Sequence, residues 1–408
     1  MKVPLLTERN LPMLYNNNNL EILGLEDAIV EKVESKDDLL EISITLKRKE
    51  HSCPACHTMT NRIHDYRRQT VKDIPAFGKK VVLYLRKRRY VCPCCGKRFF
   101  EQNHFLPRYY RRTQRSILSI LHSLGDKVSG KHVAEENDSS CTTVWRYFKL
   151  LNYRCTSLPT VLSLDEFKGN ANGEKYQSIL TNPVKKRILD ILPTRYEGDL
   201  ISYFKDFSTR YSVQYFVIDM SDHFRRVGQC CFPNAKIVAD RYHVVRQVYW
   251  AMENVRKEEQ SHLSERFRKY FKRSRKLTYK DPKDLTFEEK ERLSLMFEIS
   301  PKLARAYYLK NKFLGVLHAK NSREGRKKLA NWLLLAEYED IPEFKNCIQA
   351  YRNWFQEILN ALDVPYSNGY TEGCNNKTKV IKRVSFGIRN FERLRTRILH
   401  IANMSSAS

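Results

Sequence analysis

Short apolar runs typical of β-strands follow one another between residues 158 and 240. They are "TVLSLDEF", "YQSILTN", "RILDILPT", "VQYFVIDM" and "AKIVADRY". Runs of this length, rich in β-branched residues and bounded by polar segments, indicate strands. The helix-like "GDLISYFKDF" precedes the fourth run, and another helical piece precedes the fifth. We therefore predict a mixed sheet built in the order three strands, helix, strand, helix, strand.

The flanking segments have other patterns. Residues 113 to 155 predict helices with one short break, and residues 244 to about 362 predict an almost wholly helical, charge-rich region. In that region Trp332 is expected in the core, rather than stacked on a distorted DNA base. Nearer the N-terminus, "DDLLEISITLKRK" alternates as a strand does, and "NNNN" at 16–19 predicts a turn. At the other end, "SNGYTEGCNNKTKVIKRV" predicts a turn followed by a helix.

The charge balance points to a polyanionic partner. The 408 residues include 73 Lys and Arg against 46 Asp and Glu, a formal net charge of +27. The surplus is clustered, because residues 61–120 contain 16 basic and 3 acidic residues. Nucleic acid is the expected partner, and a solvated basic surface is the alternative. No apolar stretch is long enough to span a bilayer and the N-terminus lacks a signal-peptide core, so we expect a cytosolic protein.

Four of the eleven cysteines form two C-x-x-C pairs. Cys53 and Cys56 are followed, after 35 residues, by Cys92 and Cys95. Four thiolates at this spacing favour a closed, structural zinc site, with each pair at the turn of a hairpin. Cys94 is an alternative to Cys95 as a ligand, and buried or disulfide-paired cysteines are the competing interpretation. The strand that leads into the second pair carries basic residues expected to contact DNA phosphates: Arg86, Lys87, Arg88 and Arg89.

Residues 115–151 have the layout of a helix-turn-helix. An apolar helix, a break containing Gly, a short helix and a polar turn precede a second helix that begins near Ser140. Thr142, Thr143 and Arg146 are then the DNA-contacting candidates on the exposed side. Any short helical bundle gives a similar pattern, so this interpretation competes with a plain bundle.

Three carboxylates are placed where a metal site could be assembled. Asp165 ends the first predicted strand, Asp219 ends the fourth, and Glu372 opens the last predicted helix. If the first and fourth strands are neighbours, the two aspartates lie side by side, and a helix crossing that edge brings Glu372 to them. Oxygen ligands of this kind favour two Mg²⁺ or Mn²⁺ ions, which activate phosphoryl transfer. Glu166 points to the opposite face of the strand.

The last helix has one polar face that continues from Glu372. Its members recur every three to four residues, and they are the candidates for contact with a phosphate backbone: Asn375 or Asn376, Lys379, and Lys382 or Arg383. A solvated charged face is the alternative.

These motifs together resemble a known family. "LSLDEFKG", "VIDMSDHFRR", "CFPNAKIVADRYHVVRQV" and "YSNGYTEGCNNKTKVIKRVSFGIRNFERLRTRIL", with the double C-x-x-C module, are similar to insertion-sequence transposases of the ISL group, third family, among the bacterial DDE recombinases. The resemblance covers nearly the whole chain. It implies an RNase H-like core, Mg²⁺-dependent cleavage at element ends, and the triad Asp165, Asp219 and Glu372. Asp240 also ends a strand, but the fourth strand adjoins the first in such a sheet, so Asp240, Arg241 and His243 are assigned supporting roles.

The predicted architecture is a multidomain α+β and α/β chain. Residues 1–50 are a lead-in, 51–105 a zinc ribbon with four cysteine ligands, 106–155 a helix-turn-helix, 156–250 and 351–400 the RNase H-like core, and 251–350 a helical insertion. The expected protein is a cytoplasmic, nucleoid-associated bacterial transposase that binds double-stranded DNA at terminal repeats and target, as a dimer or higher assembly. Two alternatives remain: an RNase H-like nuclease without strand transfer, and a catalytically inactive zinc-containing DNA-binding regulator.

Overall fold

The computed structural model describes Leu25 and residues 27–126, 128–272 and 274–407, with the backbone only for residues 405–407. The asparagine run predicted as a turn at 16–19 lies outside the described residues. The chain divides into two compact units, the first ending at Leu151 and the second beginning at Asn152. In the described part of the chain, none of the helices has the length and apolarity needed to cross a membrane.

The first unit contains a mixed sheet whose strands alternate apolar and polar residues. The strands of this unit are β1 (Ala28–Ser35), β2 (Leu39–Leu46), β3 (His51–Ser52), β4 (Met59–Thr60), β5 (Ile63–Lys72), β6 (Lys80–Val91) and β7 (Arg98–Phe100). Strand β2 pairs in parallel with the long β6, so the sheet has the order β1-β2-β6-β5, with β7 added beside β6. Its apolar core includes Ile44, Leu83 and Leu85.

Three short helices complete this unit: α1 (Gln114–Ser123), α2 (Gly130–Glu136) and α3 (Cys141–Phe148). Each begins after a hydroxyl residue whose side chain accepts a hydrogen bond from the first turn, and these caps are Thr113, Ser129 and Ser140. Val144 and Phe148 of α3 are buried in a small core shared with α1 and α2. The helix predicted to begin near Ser140 is therefore present.

The second unit is built around five strands that follow the predicted order. They are β8 (Val161–Phe167), β9 (Gln177–Asn182), β10 (Arg187–Leu192), β11 (Tyr215–Ile218) and β12 (Lys236–Ala239), in the sheet order β10-β9-β8-β11-β12. The pairs β10-β9 and β9-β8 are antiparallel, whereas β8-β11 and β11-β12 are parallel. The first and fourth strands are thus neighbours, as predicted.

Helices cover both faces of this sheet. Leu162 and Leu164 of β8 point into a large core shared with the helical region, whereas Phe167 points into a smaller core under the last two helices. Trp332 is 2% exposed and donates a hydrogen bond from Nε1 to the Leu309 carbonyl at 2.8 Å, so its predicted core position is confirmed. The helices are α4 (Glu197–Lys205), α5 (Asp222–Cys231), α6 (Arg241–His262), α7 (Glu265–Phe271), α8 (Arg275–Tyr279), α9 (Phe287–Ile299), α10 (Pro301–Leu317), α11 (Ser322–Tyr338), α12 (Lys345–Asn353), α13 (Phe355–Leu362), α14 (Gly369–Val384) and α15 (Phe391–Ala407).

Candidate metal centres and nucleic-acid interface

The four predicted zinc ligands form one cluster. The Sγ atoms of Cys53 and Cys95 are 3.6 Å apart, those of Cys56 and Cys92 3.4 Å, and those of Cys56 and Cys95 3.5 Å. A tetrahedral zinc with bonds of about 2.3 Å spaces its sulfur ligands at roughly 3.8 Å. All four cysteines are free thiols. The donor set therefore fits a closed structural zinc site, and disulfide pairing is excluded in this structure.

The two C-x-x-C pairs are built as the same turn. In each, the first cysteine donates its backbone N–H to the residue five positions later, and its carbonyl accepts from the residue four positions later. That fourth residue has positive φ in both turns, 60° at His57 and 69° at Gly96. The turn directs Cys92 and Cys95 into the cluster, whereas Cys94 is exposed outside it. Cys95, not Cys94, is therefore the fourth ligand candidate.

The basic residues of β6 differ in their surroundings. Arg86 is exposed, with its guanidinium 4.2 Å from the centroid of the Tyr66 ring, and Lys87 and Arg89 are partly exposed. Arg88 is buried, and its Nη1 donates to Glu101 at 3.1 Å and to the Leu46 carbonyl at 2.8 Å. The prediction of a DNA contact at Arg88 is therefore corrected to a structural ion pair, because its side of the strand faces the protein.

The candidate residues of α3 are also unequal. Thr142 and Arg146 are exposed. Thr143 is half-buried, and its hydroxyl and N–H take part in the cap formed by Ser140. Beside them lies a cleft of about 770 Å³ whose lining includes Lys72 and Arg111. Cationic side chains thus surround the start of this helix.

Three aspartates lie at the same level of adjacent parallel strands, Asp165 within β8 and the other two directly after β11 and β12. Val217 of β11 pairs with Ser163 of β8, and two residues further along each strand are Asp219 and Asp165. Ala239 of β12 pairs with Ile218, so Asp240 comes directly after β12 beside Asp219. Neighbouring strands are about 4.8 Å apart, so these carboxylates are close enough to interact.

Asp165 is the most constrained of them. Its residue is 8% exposed, its Oδ1 accepts the Glu166 backbone N–H at 2.7 Å, and its Oδ2 accepts from Asn375 Nδ2 at 2.9 Å. Burial raises the pKa of Asp165 to about 7, and the charge of Asp219 adds to the shift. Glu166 is partly exposed and forms an ion pair with Arg195 at 2.8 Å. Burial raises the pKa of Asp219, and the charge of Glu166 adds to that shift.

Asp219 has an oxygen without a protein partner. Its Oδ1 atom is buried and accepts no hydrogen bond. Burial raises the pKa of this carboxyl, and the positive charges of His243 and Arg246 oppose the shift. An unsatisfied buried carboxylate oxygen is costly unless a cation or a proton occupies it. This atom fits a metal ligand.

Asp240, His243 and Glu372 form a set whose candidate ligand atoms all lie within 4.8 Å of one another. Asp240 is 1% exposed and caps α6 by accepting from the His243 N–H at 3.3 Å and from its Nδ1 at 3.0 Å. Its other oxygen accepts the Asn368 N–H at 2.8 Å. Burial alone would raise the pKa of Asp240, but these hydrogen bonds outweigh burial and hold it below its ordinary value.

The pKa values of the other two members of that set, His243 and Glu372, also depend on Asp240. Burial alone would lower the pKa of His243, but its bond to Asp240 outweighs burial and raises the pKa. Burial raises the pKa of Glu372, and the charge of Asp240 adds to the shift. Glu372 lies in the first turn of α14 and is partly exposed. The neighbouring Arg241 donates to the Ala361 and Val364 carbonyls, so its side chain holds the chain before α14 instead of facing a ligand.

The polar face of α14 divides into two parts. Asn375 is 7% exposed and bonds to Asp165, and Lys382 donates to the Lys168 carbonyl at 2.8 Å. Lys379 and Arg383 are exposed. The predicted DNA contact at Asn375 is therefore corrected to a contact that orients Asp165, because the helix packs this side of its face on β8.

The structure contains a buried hydroxyl network at the start of α14 that the sequence analysis did not identify. Thr371 Oγ1 lies 3.0 Å from Ser163 Oγ and 2.8 Å from Thr181 Oγ1, and the Ser163 hydroxyl donates to Asn368. The Asn368 N–H then reaches Asp240. The network connects the sheet to the turn before Glu372, and the "SNGYT" run in the sequence indicated only a turn.

Comparison with known proteins adds family information to this geometry. A family model described as a transposase, of the ISL3 group of DDE transposases, matches residues 162–398. A second model, described as the zinc-finger of transposase IS204/IS1001/IS1096/IS1165, matches residues 49–95. The two matches coincide with the sheet that carries the carboxylates and with the cysteine cluster.

Individual relatives agree with these models. The chain is 25% identical over 396 residues to the transposase for insertion sequence element IS1001 of Bordetella parapertussis, covering 90% of this chain and 94% of the relative. It is 32% identical over 119 residues to the transposase for insertion sequence element IS1557 of Mycobacterium tuberculosis, covering 29% of this chain and 27% of the relative. The first similarity includes both units.

Proposed function

The chain belongs to the ISL3 family of DDE transposases, and from that premise we propose that it cuts DNA at the ends of an insertion sequence and joins the ends to target DNA. In this proposal, water attacks a phosphodiester at the element end. The freed 3′-hydroxyl then attacks a phosphodiester of the target, with no covalent enzyme intermediate. The sheet order β10-β9-β8-β11-β12 supports an RNase H-like core for this chemistry.

The buried, unbonded Oδ1 of Asp219 beside Asp165 is the observation that carries the proposal. We assign Asp165, Asp219 and Glu372 as the metal-binding triad. Asp240, which bonds to His243 and Asn368, is the rival for the second position, and Asp219 is preferred because its buried Oδ1 has no hydrogen-bond partner. The role of Asp240 is to cap α6 and to hold the start of α14, which carries Glu372.

The donor set supports hard divalent cations such as Mg²⁺ or Mn²⁺, because all three assigned ligands are carboxylates. When bound, two such ions supply charge neutralisation and activation of the attacking oxygen in phosphoryl transfer. Asn375 orients Asp165 through its amide N–H. Lys379 and Arg383, further along the same helix and exposed, are placed to neutralise backbone phosphates.

Recognition of the element ends is assigned to the first unit. The cysteine cluster holds a structural zinc that stabilises the end of the antiparallel pair β5-β6. On β6, Arg86, Lys87 and Arg89 contact phosphates. The three-helix segment acts as a helix-turn-helix, with Thr142 and Arg146 towards the bases. Two ends must be cut together, so we propose a dimer or higher assembly on double-stranded DNA in the bacterial cytoplasm.

The proposal is tested with DNA that contains the regions flanking the coding gene, where the element ends are expected. Full-length protein with Mg²⁺ should nick these ends, and precut ends with a 3′-hydroxyl should be joined to a target plasmid. Asp165→Asn, Asp219→Asn and Glu372→Gln should each abolish both reactions. Asp222→Asn, an exposed acid on α5, is the matched control and should retain them.

The same assay separates the alternatives. Cleavage without joining of precut ends would replace transposition by simple nuclease activity. Specific DNA binding with no Mg²⁺-dependent cleavage, in protein with folded units, would indicate a regulator.

A further inference from the structure

One side of α6 carries two exposed aromatic rings and an arginine that have no role in the proposed phosphoryl transfer. Tyr242, Arg246 and Trp250 recur every four residues, so they form one stripe along the helix. Tyr242 is 58% exposed and Trp250 48% exposed. Tyrosine and tryptophan bury much of their surface in most folded proteins, so two such rings in one exposed row indicate a binding surface. We call these three residues the α6 stripe.

Arg246 lies between the two rings. Its guanidinium carbon is 4.6 Å from the centroid of the Trp250 ring and 5.9 Å from that of Tyr242. The Nε atom of Arg246 is buried and has no hydrogen-bond partner. A buried donor without an acceptor is destabilising, and a phosphate oxygen is an acceptor that matches a guanidinium well.

The α6 stripe begins at the carboxylate site. Tyr242 is two residues beyond Asp240, and its ring meets the His243 ring edge to face, with centroids 5.4 Å apart. Burial raises the pKa of both Asp219 and Glu372, and in each case the positive charge of Arg246 opposes the shift. The guanidinium is therefore close to the carboxylates, and a DNA strand whose phosphate reaches them would continue along α6.

We propose that the α6 stripe binds unpaired bases of the DNA strand at the active site, with Trp250 and Tyr242 stacking on bases and Arg246 bonding to a backbone phosphate. Aromatic rings stack on any nucleobase, so the surface favours unpaired DNA without a sequence preference. Bases in an intact duplex are stacked on one another and offer no free face. The inference rests on the proposed function, because DNA strand cleavage is what brings a strand to this site.

The binding test is done without added Mg²⁺ and uses two fluorescein-labelled probes. One is a blunt 20-base-pair duplex, and the other is the same duplex with a five-nucleotide 3′ tail. Wild-type protein should bind the tailed probe more tightly than the blunt one. Trp250→Ala should lose that advantage. Its affinity for the tailed probe should fall roughly 5- to 100-fold, which is about the loss expected when one base no longer stacks on an aromatic ring. Blunt-duplex affinity and the thermal midpoint should stay unchanged.

Matched variants identify stacking as the cause. Trp250→Phe keeps an aromatic face and should retain most of the tail preference. Tyr338→Ala removes a ring that is 86% exposed at the end of α11 and should change nothing. Abasic nucleotides next to the junction should remove the advantage for wild-type protein and have no further effect on Trp250→Ala. Arg246→Gln should lower the salt dependence of tailed-probe binding by about one phosphate contact.

The inference would be overturned by equal tail preference in wild type and Trp250→Ala, or by an equal loss for blunt and tailed probes. A change of oligomeric state with unaltered DNA binding would instead make the stripe a protein interface and would also overturn it. Since binding is measured without catalysis, tail preference that depends on Trp250 in a protein that never cuts DNA would reject the proposed function alone. Normal cutting by Trp250→Ala with unchanged binding would reject the α6 stripe alone.

Discussion

The cysteine cluster and the proposed carboxylate site are both candidate ligand sets for metal ions, but they are assembled from very different lengths of sequence. Each half of the cysteine cluster is one local turn, Cys53–Cys56 or Cys92–Cys95, and the two turns repeat the same backbone hydrogen bonds. The carboxylate site collects Asp165, Asp219 and Glu372 from three elements that span more than 200 residues. The first set is created by turns, whereas the second is created by a sheet and a helix packed on it.

The two sites also differ in what supports them when no metal is bound. Around the cysteines the strands β3 and β4 have two residues each, and the two turns are joined besides by local contacts such as the hydrogen bond from Thr60 Oγ1 to the Val91 carbonyl at 3.1 Å. The carboxylates lie on a five-stranded sheet with apolar cores on both faces. We therefore expect metal at the cysteines to stabilise local structure and metal at the carboxylates to serve chemistry.

The largest expected effect is the loss of zinc. Cys56→Ser should remove the ion and unfold the two cysteine turns around residues 49–60 and 92–100, because structural zinc in small modules contributes about 10 kcal/mol or more of apparent binding free energy. Zinc content per chain measures the loss of the ion, and limited proteolysis of the full-length protein measures the unfolding. Cys94→Ser, outside the cluster, is the control and should keep one zinc. Equal proteolysis of both variants would contradict the comparison.

The next effect is on catalysis without loss of fold. Asp219→Asn should lower DNA cleavage roughly a thousandfold or more, since it removes a ligand of ions that contribute several kcal/mol to the transition state. Its thermal midpoint should not fall, because a neutral amide relieves a buried, unpaired oxygen. Asp240→Ala should instead lower the thermal midpoint by removing the α6 cap. Intact cleavage in Asp219→Asn with folded, inactive Asp240→Asn would reverse the assignment.

The neighbours Lys87 and Arg88 of β6 have different surroundings, and this difference can be tested by changing Lys87 itself and Glu101, the ion-pair partner of Arg88. Glu101→Ala should destabilise it by about 3 kcal/mol, because it leaves the Arg88 charge buried without its carboxylate. Lys87→Ala should leave the thermal midpoint unchanged and lower the slope of log affinity against log salt by about one. Denaturation curves and DNA titrations at several salt concentrations separate the two. A reduced salt slope in Glu101→Ala with unaltered stability would argue against the buried pair.

The last expected effect is a pH dependence of stability at the carboxylate site. The folded-state pKa of Asp165 is about 7, above the ordinary 3.8. The folded state therefore holds a proton that the unfolded state releases, so this contribution to stability is present below pH 4 and is lost as pH rises through 7. Its slope is at most about 1.4 kcal/mol per pH unit. Binding of Mg²⁺ requires the ionised form, so added Mg²⁺ should raise the thermal midpoint more at pH 8 than at pH 6.

Asp165→Asn is the control for that experiment. It should lose most of the pH-dependent Mg²⁺ stabilisation while keeping the zinc of the first unit. Identical Mg²⁺ shifts at both pH values, or an unchanged response in the variant, would count against Asp165 as a ligand.

Local signals in the sequence were sufficient for much of this molecule. The apolar runs and their spacing predicted every strand of the second sheet, because a strand buried between helices must be apolar over its length. The C-x-x-C spacing predicted the cysteine cluster, because two residues between ligands suit one tight turn. The family resemblance supplied the neighbouring positions of the first and fourth strands, which the structure confirms.

Tertiary structure alone decided how similar residues divide their roles. Arg88 and Arg86 belong to one basic run, yet Arg88 is buried against Glu101 while Arg86 is exposed. Asp219 and Asp240 both follow parallel strands, yet only Asp240 meets the Asn368 N–H, which comes from a turn 128 residues away. Sequence patterns record which side chains a strand or turn presents. Which partners arrive from distant segments, and so whether a carboxylate oxygen is occupied or free, depends on packing that no local pattern contains.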